Sequence, residues 1–392
     1  MNRSRRGAIA ALVVLVAAAA ALALWLLDVS TTPRAPVQAS IAVGETLGGG
    51  DLSGFARALA PRPFAFPGDH GPHPEFRTEW WYYTGNLETA TGRHVGFQLT
   101  FFRTALAPPE RAASVARASA WAANQLYLAH FALTDTEGRR FHAWSRTSRE
   151  ALGLAGAQVR PFRVWLDDWS AASEADGGLP VRLRAAEDDV AIDLVLGSDK
   201  PVVLHGDRGL SRKGPEPDNA SHYYSLTRMP ARGTVRLGGT SLDVSGRAWM
   251  DREWSTSALG PDLVGWDWMA LQLDDGRDVM LYRLRRRDGT ADPFSAGTLI
   301  AADGRTEPLG PGDVALEVLD HWTSPRSGVR YPSGWRLSIP AAGLRLAIAP
   351  RLADQELIVG TRYWEGAVRV EGASGTRPIA GRGYVELVGY GE

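Results

Sequence analysis

Residues 246–255 (GRAWMDREWS) set two acids, Asp251 and Glu253, and one arginine, Arg252, between two tryptophans, Trp249 and Trp254. Two chemistries suit that pattern. One is an arginine–carboxylate clasp that satisfies backbone groups where a domain ends, and residue types alone favour it. The other is a carboxylic acid kept protonated in an apolar pocket, able to act as a general acid. A second cluster, residues 73–87 (HPEFRTEWWYYTGNL), runs two tryptophans into two tyrosines. In an extended strand these rings alternate between faces, so Trp80 and Tyr82 can line a cavity while their neighbours fill a core. Glu79, flanked by rings, needs a partner such as Arg77 or a buried water, or its pKa must rise. A third cluster, Gly265-Trp266-Asp267-Trp268, puts two indoles on one strand face as a platform for an apolar or conjugated ligand, with core packing as the alternative.

Composition removes many other chemistries. The 392 residues contain no Cys, which excludes disulfide scaffolds, thiolate metal sites and cysteine nucleophiles. Eight His show no H-E-x-x-H or comparable spacing, so no tightly bound metal and no cofactor is expected. No G-x-S-x-G elbow is present. Residues 205–214 (HGDRGLSRKG) have the glycines and basic residues of a phosphate loop but not its spacing. Net charge is −1, and Lys200 and Lys213 are the only lysines among 43 basic residues mixed with 44 acids, so nucleic acid is not an expected partner.

These residues need strands to position them. Residues 94–103 (HVGFQLTFFR) and 125–134 (QLYLAHFALT) alternate apolar and polar positions, and similar runs recur to 384–388. Asp275-Gly276 between two such runs marks a hairpin. Many short strands over some 330 residues predict an all-β chain of two antiparallel barrels, with the boundary near 255–261, after a strand-like run ending at Trp249 and before the aromatic hairpin that starts at Gly265. The expected division is an address and start of a tether at 1–39, a linker at 40–64, a first barrel at 65–257 and a second at 258–392. A short helix is expected over 51–59, and an exposed loop insertion over 105–124. Arg3, Arg5 and Arg6 precede an uncharged run at 7–27, a pattern for export by a cleaved signal or a retained anchor. Residues 37–39 (VQA) offer a cleavage pattern. A periplasmic or secreted body is then expected, touching the membrane only through that segment.

Residues 73–87, 206–229, 248–260, 265–284 and 363–389 together resemble the AttH-like family, often labelled predicted secreted hydrolases and related to carotenoid 1,2-hydratase (CrtC). The resemblance covers roughly 60–390 and implies two lipocalin-like (calycin) barrels packed together, export, and in some relatives an ABC-type transporter permease as partner. The hydratase branch adds water across a terminal carbon–carbon double bond of an acyclic carotenoid without a redox cofactor. Such chemistry requires a proton donor in an apolar pocket and aromatic faces that tolerate a carbocation. The segment around Asp251 matches the hydratase's polar motif, but Met250 and Arg252 stand where that motif carries histidines. Two readings follow for a hydrophobic, isoprenoid or lipid-like ligand. In the first the protein is a hydratase-like enzyme with Asp251 or Glu253 as general acid, Glu79 as a further candidate, and Trp80, Tyr82, Trp249, Arg252, Trp254, Trp266 and Trp268 around the ligand. In the second it is a non-catalytic carrier serving an envelope transport system; the hydrolase label is a third reading, without a recognisable nucleophile.

Overall fold

The computed structural model describes residues 51–114, 122–256, 259–260 and 262–391. The apolar segment at 7–27 and the cleavage pattern at 37–39 lie outside the described residues, among which no helix is long and apolar enough to cross a membrane.

Thirteen strands build the first sheet. They are β1 (Thr78–Glu88), β2 (His94–Ala105), β3 (Gln125–Asp135), β4 (Arg140–Arg149), β5 (Ala155–Gln158), β6 (Arg163–Leu166), β7 (Trp169–Ser173), β8 (Val181–Glu187), β9 (Val190–Leu196), β10 (Val203–Leu204), β11 (Leu210–Arg212), β12 (Ala220–Leu237) and β13 (Thr240–Ser255). Ten more build the second: β14 (Leu263–Leu273), β15 (Asp278–Arg286), β16 (Ala296–Ile300), β17 (Thr306–Leu309), β18 (Ala315–Thr323), β19 (Arg330–Ile339), β20 (Leu344–Pro350), β21 (Glu356–Ile358), β22 (Arg362–Ser374) and β23 (Arg377–Val388). The first sheet curls into a nearly closed barrel and the second into a half-barrel, giving an all-β pair of lipocalin-like sheets. Gly276, at φ +91°, makes the Asp-Gly hairpin between β14 and β15.

Among the described residues, alternation gathers the buried apolar side chains into four clusters, three of them large. Trp81, Tyr83, Tyr224, Met250 and Trp254 point into the first barrel. Met269, Leu271, Trp364 and Leu387 point into the second sheet. The opposite faces of the same strands meet in a third cluster, where Tyr82, Tyr223 and Trp249 pack against Trp268, Met280, Tyr282 and Tyr384. Burying such rings contributes about 1.5–3 kcal/mol each. A buried ion cluster ties the sheets together, with Lys200 Nζ 2.7 Å and Arg228 Nη2 2.5 Å from the two oxygens of Asp278.

Three local expectations are corrected. Residues 51–59 form a turn and coil rather than a helix, because Ser53 N–H bonds back to Asp51 Oδ1 and Gly54 takes φ +84°. Phe55 and Ala58 are nonetheless buried, and Arg57 pairs with Asp218, so this stretch lies on the first barrel. The 105–124 insertion contains a short helix, Pro109–Ser114, and its residues 115–121 lie outside the described ones. The strand read as ending at Trp249 continues to Ser255, so strict alternation governs the whole Trp249–Trp254 cluster.

Candidate functional site

On β13, Trp249, Asp251 and Glu253 face the second sheet, whereas Arg252 and Trp254 face into the first barrel. On β1, Trp80 and Tyr82 look outward and Glu79 inward. A cavity of about 140 Å³ lies between the sheets rather than in the mouth of either barrel. Trp80, Tyr82, Tyr223, Asp251 and Glu253 wall it from the first sheet, and Trp266, Trp268, Tyr282 and Glu386 from the second, with Lys213 at its side.

Asp251 is 4% exposed. Its Oδ1 accepts from Trp249 Nε1 at 2.6 Å and from the Ser225 hydroxyl, and its Oδ2 accepts from Tyr223 Oη at 2.5 Å. Burial nevertheless outweighs these donors and pushes its carboxyl up to about 7, with the charge of Glu253 adding to the rise. Because Oδ1 already accepts twice, the added proton belongs on Oδ2. Trp268 Nε1 donates to Tyr223 Oη at 3.1 Å, which fixes the phenol beside that oxygen. Behind Ser225 stands His205, whose Nε2 lies 2.6 Å from Ser225 Oγ and whose Nδ1 lies 2.9 Å from Thr298 Oγ1. Burial holds this imidazole down to about 3, so it is neutral. The Ser225 hydroxyl points its proton at Asp251, which leaves His205 Nε2–H as the donor to Ser225. The serine is therefore not activated as a nucleophile, and the pair props the carboxyl.

Glu253 takes another partner, with Lys213 Nζ 3.3 Å from Oε1. Burial opposes the lysine's charge, but Glu253 and Tyr282 raise its pKa overall. From the opposite wall, Glu386 is pushed up to about 8 by burial, against a hydrogen bond from Trp266 and with Asp251 and Glu253 adding repulsion. Below it, Glu365 is fully buried, accepts from Tyr82 Oη at 2.7 Å, and is pushed well above the carboxylate range by burial and then by Glu386.

Several sequence candidates fall elsewhere. Glu79, Arg252 and Trp254 are not in the cavity, because alternation turns them into the first barrel. There Arg103 and Arg252 grip the two oxygens of Glu79, and His73 N–H adds a bond at 3.1 Å. Burial opposes the charge, but the two guanidiniums hold Glu79 well below the usual range. Trp254 stacks on His73 at 3.7 Å, and Arg252 lies 4.0 Å from the Trp81 ring. A clasp thus exists, but it closes on Glu79, and its second arginine is Arg103 where the sequence pointed to Arg77. Trp249 touches the chemistry only through its indole N–H on Asp251. Sequence reading missed Lys213, Tyr223, Ser225, His205, Glu365 and Glu386. Lys213 stood in the 205–214 segment set aside as a failed phosphate loop, and Tyr223 and Ser225 share an i, i+2 face that a known β12–β13 pairing would have placed opposite Glu253 and Asp251. Among the described residues no group of three or more His, Asp or Glu is placed to hold a metal ion.

Against known proteins, the profile of the AttH-like family matches residues 57–390. A crystal structure of an AttH candidate from Nitrosomonas europaea is 36% identical, with a TM-score of 0.76 over 86% of this chain and all of that one. Kievitone hydratase from Nectria haematococca shares the fold at 16% identity and a TM-score of 0.65, over 88% of this chain and 98% of its own. CghA with Sch210972 follows at 17% identity and 0.51, again over 88% and 98%. No curated protein matches the sequence.

Proposed function

The chain belongs to the AttH-like family, and from that premise we propose that the cavity between its sheets hydrates a carbon–carbon double bond of an apolar, isoprenoid or lipid-like substrate without a cofactor. The observation that carries this reading is Asp251, a buried carboxyl on the cavity wall with three neutral donors around it and a proton affinity that burial raises. A neutral acid so placed gives its proton readily, because the carboxylate it becomes finds Tyr223, Ser225 and Trp249 in position. Trp80, Trp266 and Trp268 offer the ring faces that a carbocation needs. Structural likeness to a hydratase adds support at the level of fold.

Purified protein is incubated with lycopene or squalene in ¹⁸O-labelled water. The expected product carries one labelled water, and Asp251→Asn lowers its formation by about 10²–10⁴-fold, the usual range for a general acid, while substrate still quenches tryptophan fluorescence. Unchanged turnover in Asp251→Asn removes the assignment. The second reading, a carrier of the same ligand, is supported by the aromatic lining and predicts a stoichiometric apolar molecule in solvent extracts of the purified protein, with no labelled water in any product. Export by residues 7–27 and partnership with an ABC-type permease belong to the same proposal, supported by the arginines ahead of that apolar run; fractionation of cells expressing the full chain tests the former, and crosslinking the latter.

A further inference from the structure

Asp251 and Glu253 enter the cavity from one face of β13, and their partners differ in kind. Neutral donors surround Asp251, whereas an ammonium faces Glu253. That ammonium is held in place, 3.9 Å from the centre of the Tyr282 ring and 5.2 Å from that of Tyr223. Its segment is pinned to the second sheet by Tyr282 Oη, 3.1 Å from Ser211 Oγ and donating to Arg212 O at 3.2 Å. The chain has two lysines, and the fold brings this one to the cavity.

Resting on the hydratase reading above, we propose that Glu253 is the base that takes a proton from the attacking water, and that Lys213 is the positioning residue that keeps Glu253 a carboxylate. The step balances. The Asp251 O–H bond breaks as a C–H bond forms, and the π bond becomes a carbocation. Water oxygen then bonds to that carbon and passes a proton to Glu253, and return of this proton through solvent to Asp251 leaves one water added. The spacing suits it. Residues two apart in a strand are rooted about 7 Å from each other on one face, so the two carboxyls open on the same cavity from neighbouring positions. A single ammonium contact also leaves carboxylate lone pairs free for that water. The other groups around Glu253 fit the role: burial holds Tyr223 as a neutral phenol, Tyr282 presents its ring to Lys213, and Asp251 and Glu386 are acids that burial favours in their neutral form.

The test reads protonation directly, on the protein alone. Infrared spectra at about pH 6 report carboxylic C=O bands, which shift in deuterated water. Lys213→Met is expected to add one such band that disappears in Lys213→Met/Glu253→Gln, whereas Lys213→Arg keeps the wild-type spectrum. With lycopene, Glu253→Gln and Lys213→Met are expected to lower kcat by about 10²-fold or more with KM little changed, and Lys213→Arg to recover most of the rate. A Lys213→Met spectrum identical to wild type overturns the proposal whether or not lycopene is hydrated. Full activity in Glu253→Gln overturns it as well, and leaves the Asp251 assignment standing.

Discussion

Glu79 and Asp251 are both carboxyl groups withdrawn from water, a few residues of register apart on neighbouring strands, yet their surroundings drive them in opposite directions. Glu79 points into the first barrel, where Arg103 and Arg252 grip it and keep it charged. Asp251 points out of the same barrel, where phenol, hydroxyl and indole donors bring no positive charge and burial keeps it neutral. Both are buried, so burial alone does not distinguish structure from chemistry. The sign of the partner does: a full cation makes a carboxylate a fixed strut, and neutral dipoles leave it able to give and take a proton.

Removing one arm of the clasp breaks the comparison hardest. Arg252→Met leaves Glu79 with half its compensation in a dry barrel, and a loss of about 3–5 kcal/mol is expected in urea unfolding; Asp251→Asn is expected to leave the protein as stable as wild type at pH 6 or more so. The pH dependence sharpens the same contrast. Asp251 has a folded pKa near 7 against 3.8 for the free group, so the folded state holds its proton where the unfolded state has released it, and this group's contribution falls as pH rises from about 4 to 7. Glu79 has the opposite sign, with stability present above the unfolded value and lost as pH falls below it. Unfolding curves from pH 4 to 8 are expected to show wild type losing of order 4 kcal/mol relative to Asp251→Asn, at about 1.4 kcal/mol per pH unit; parallel curves would show that Asp251 ionises normally. Smaller again is the coupling across the cavity: Asp251→Asn removes a charge facing Glu386 and is expected to lower the Glu386 titration midpoint by under about one pH unit in infrared titration. Trp268→Phe takes one N–H from the Tyr223 hydroxyl, and a loss of about 0.5–1.5 kcal/mol is expected, read as a shift in urea midpoint.

Much of this was legible in residue order. Alternation at 94–103 and 125–134 and the Asp-Gly hairpin announced strands, and period two already separated Trp80 and Tyr82 from Trp81 and Tyr83. The clasp was legible as a type but not as a pairing, because Arg103 lies opposite Glu79 only once the β1–β2 register is known. Lys213 and Glu386 were out of reach for a different reason. One comes from an irregular segment before β12 and the other from the last strand of the chain, and nothing in either neighbourhood marks a shared cavity.

By itself, the sequence determined the class of the fold, the absence of thiol chemistry, and the alternation of faces along strands such as β1, since a strand's side-chain period is a local property of the backbone. The tertiary structure decided which of those faces became a core and which a cavity, and which partner each carboxyl met. Those outcomes depend on contacts between residues separated by more than a hundred positions, such as Asp251 with the Glu386 wall, and through them on the local dielectric and charge that set whether a buried acid holds or releases its proton.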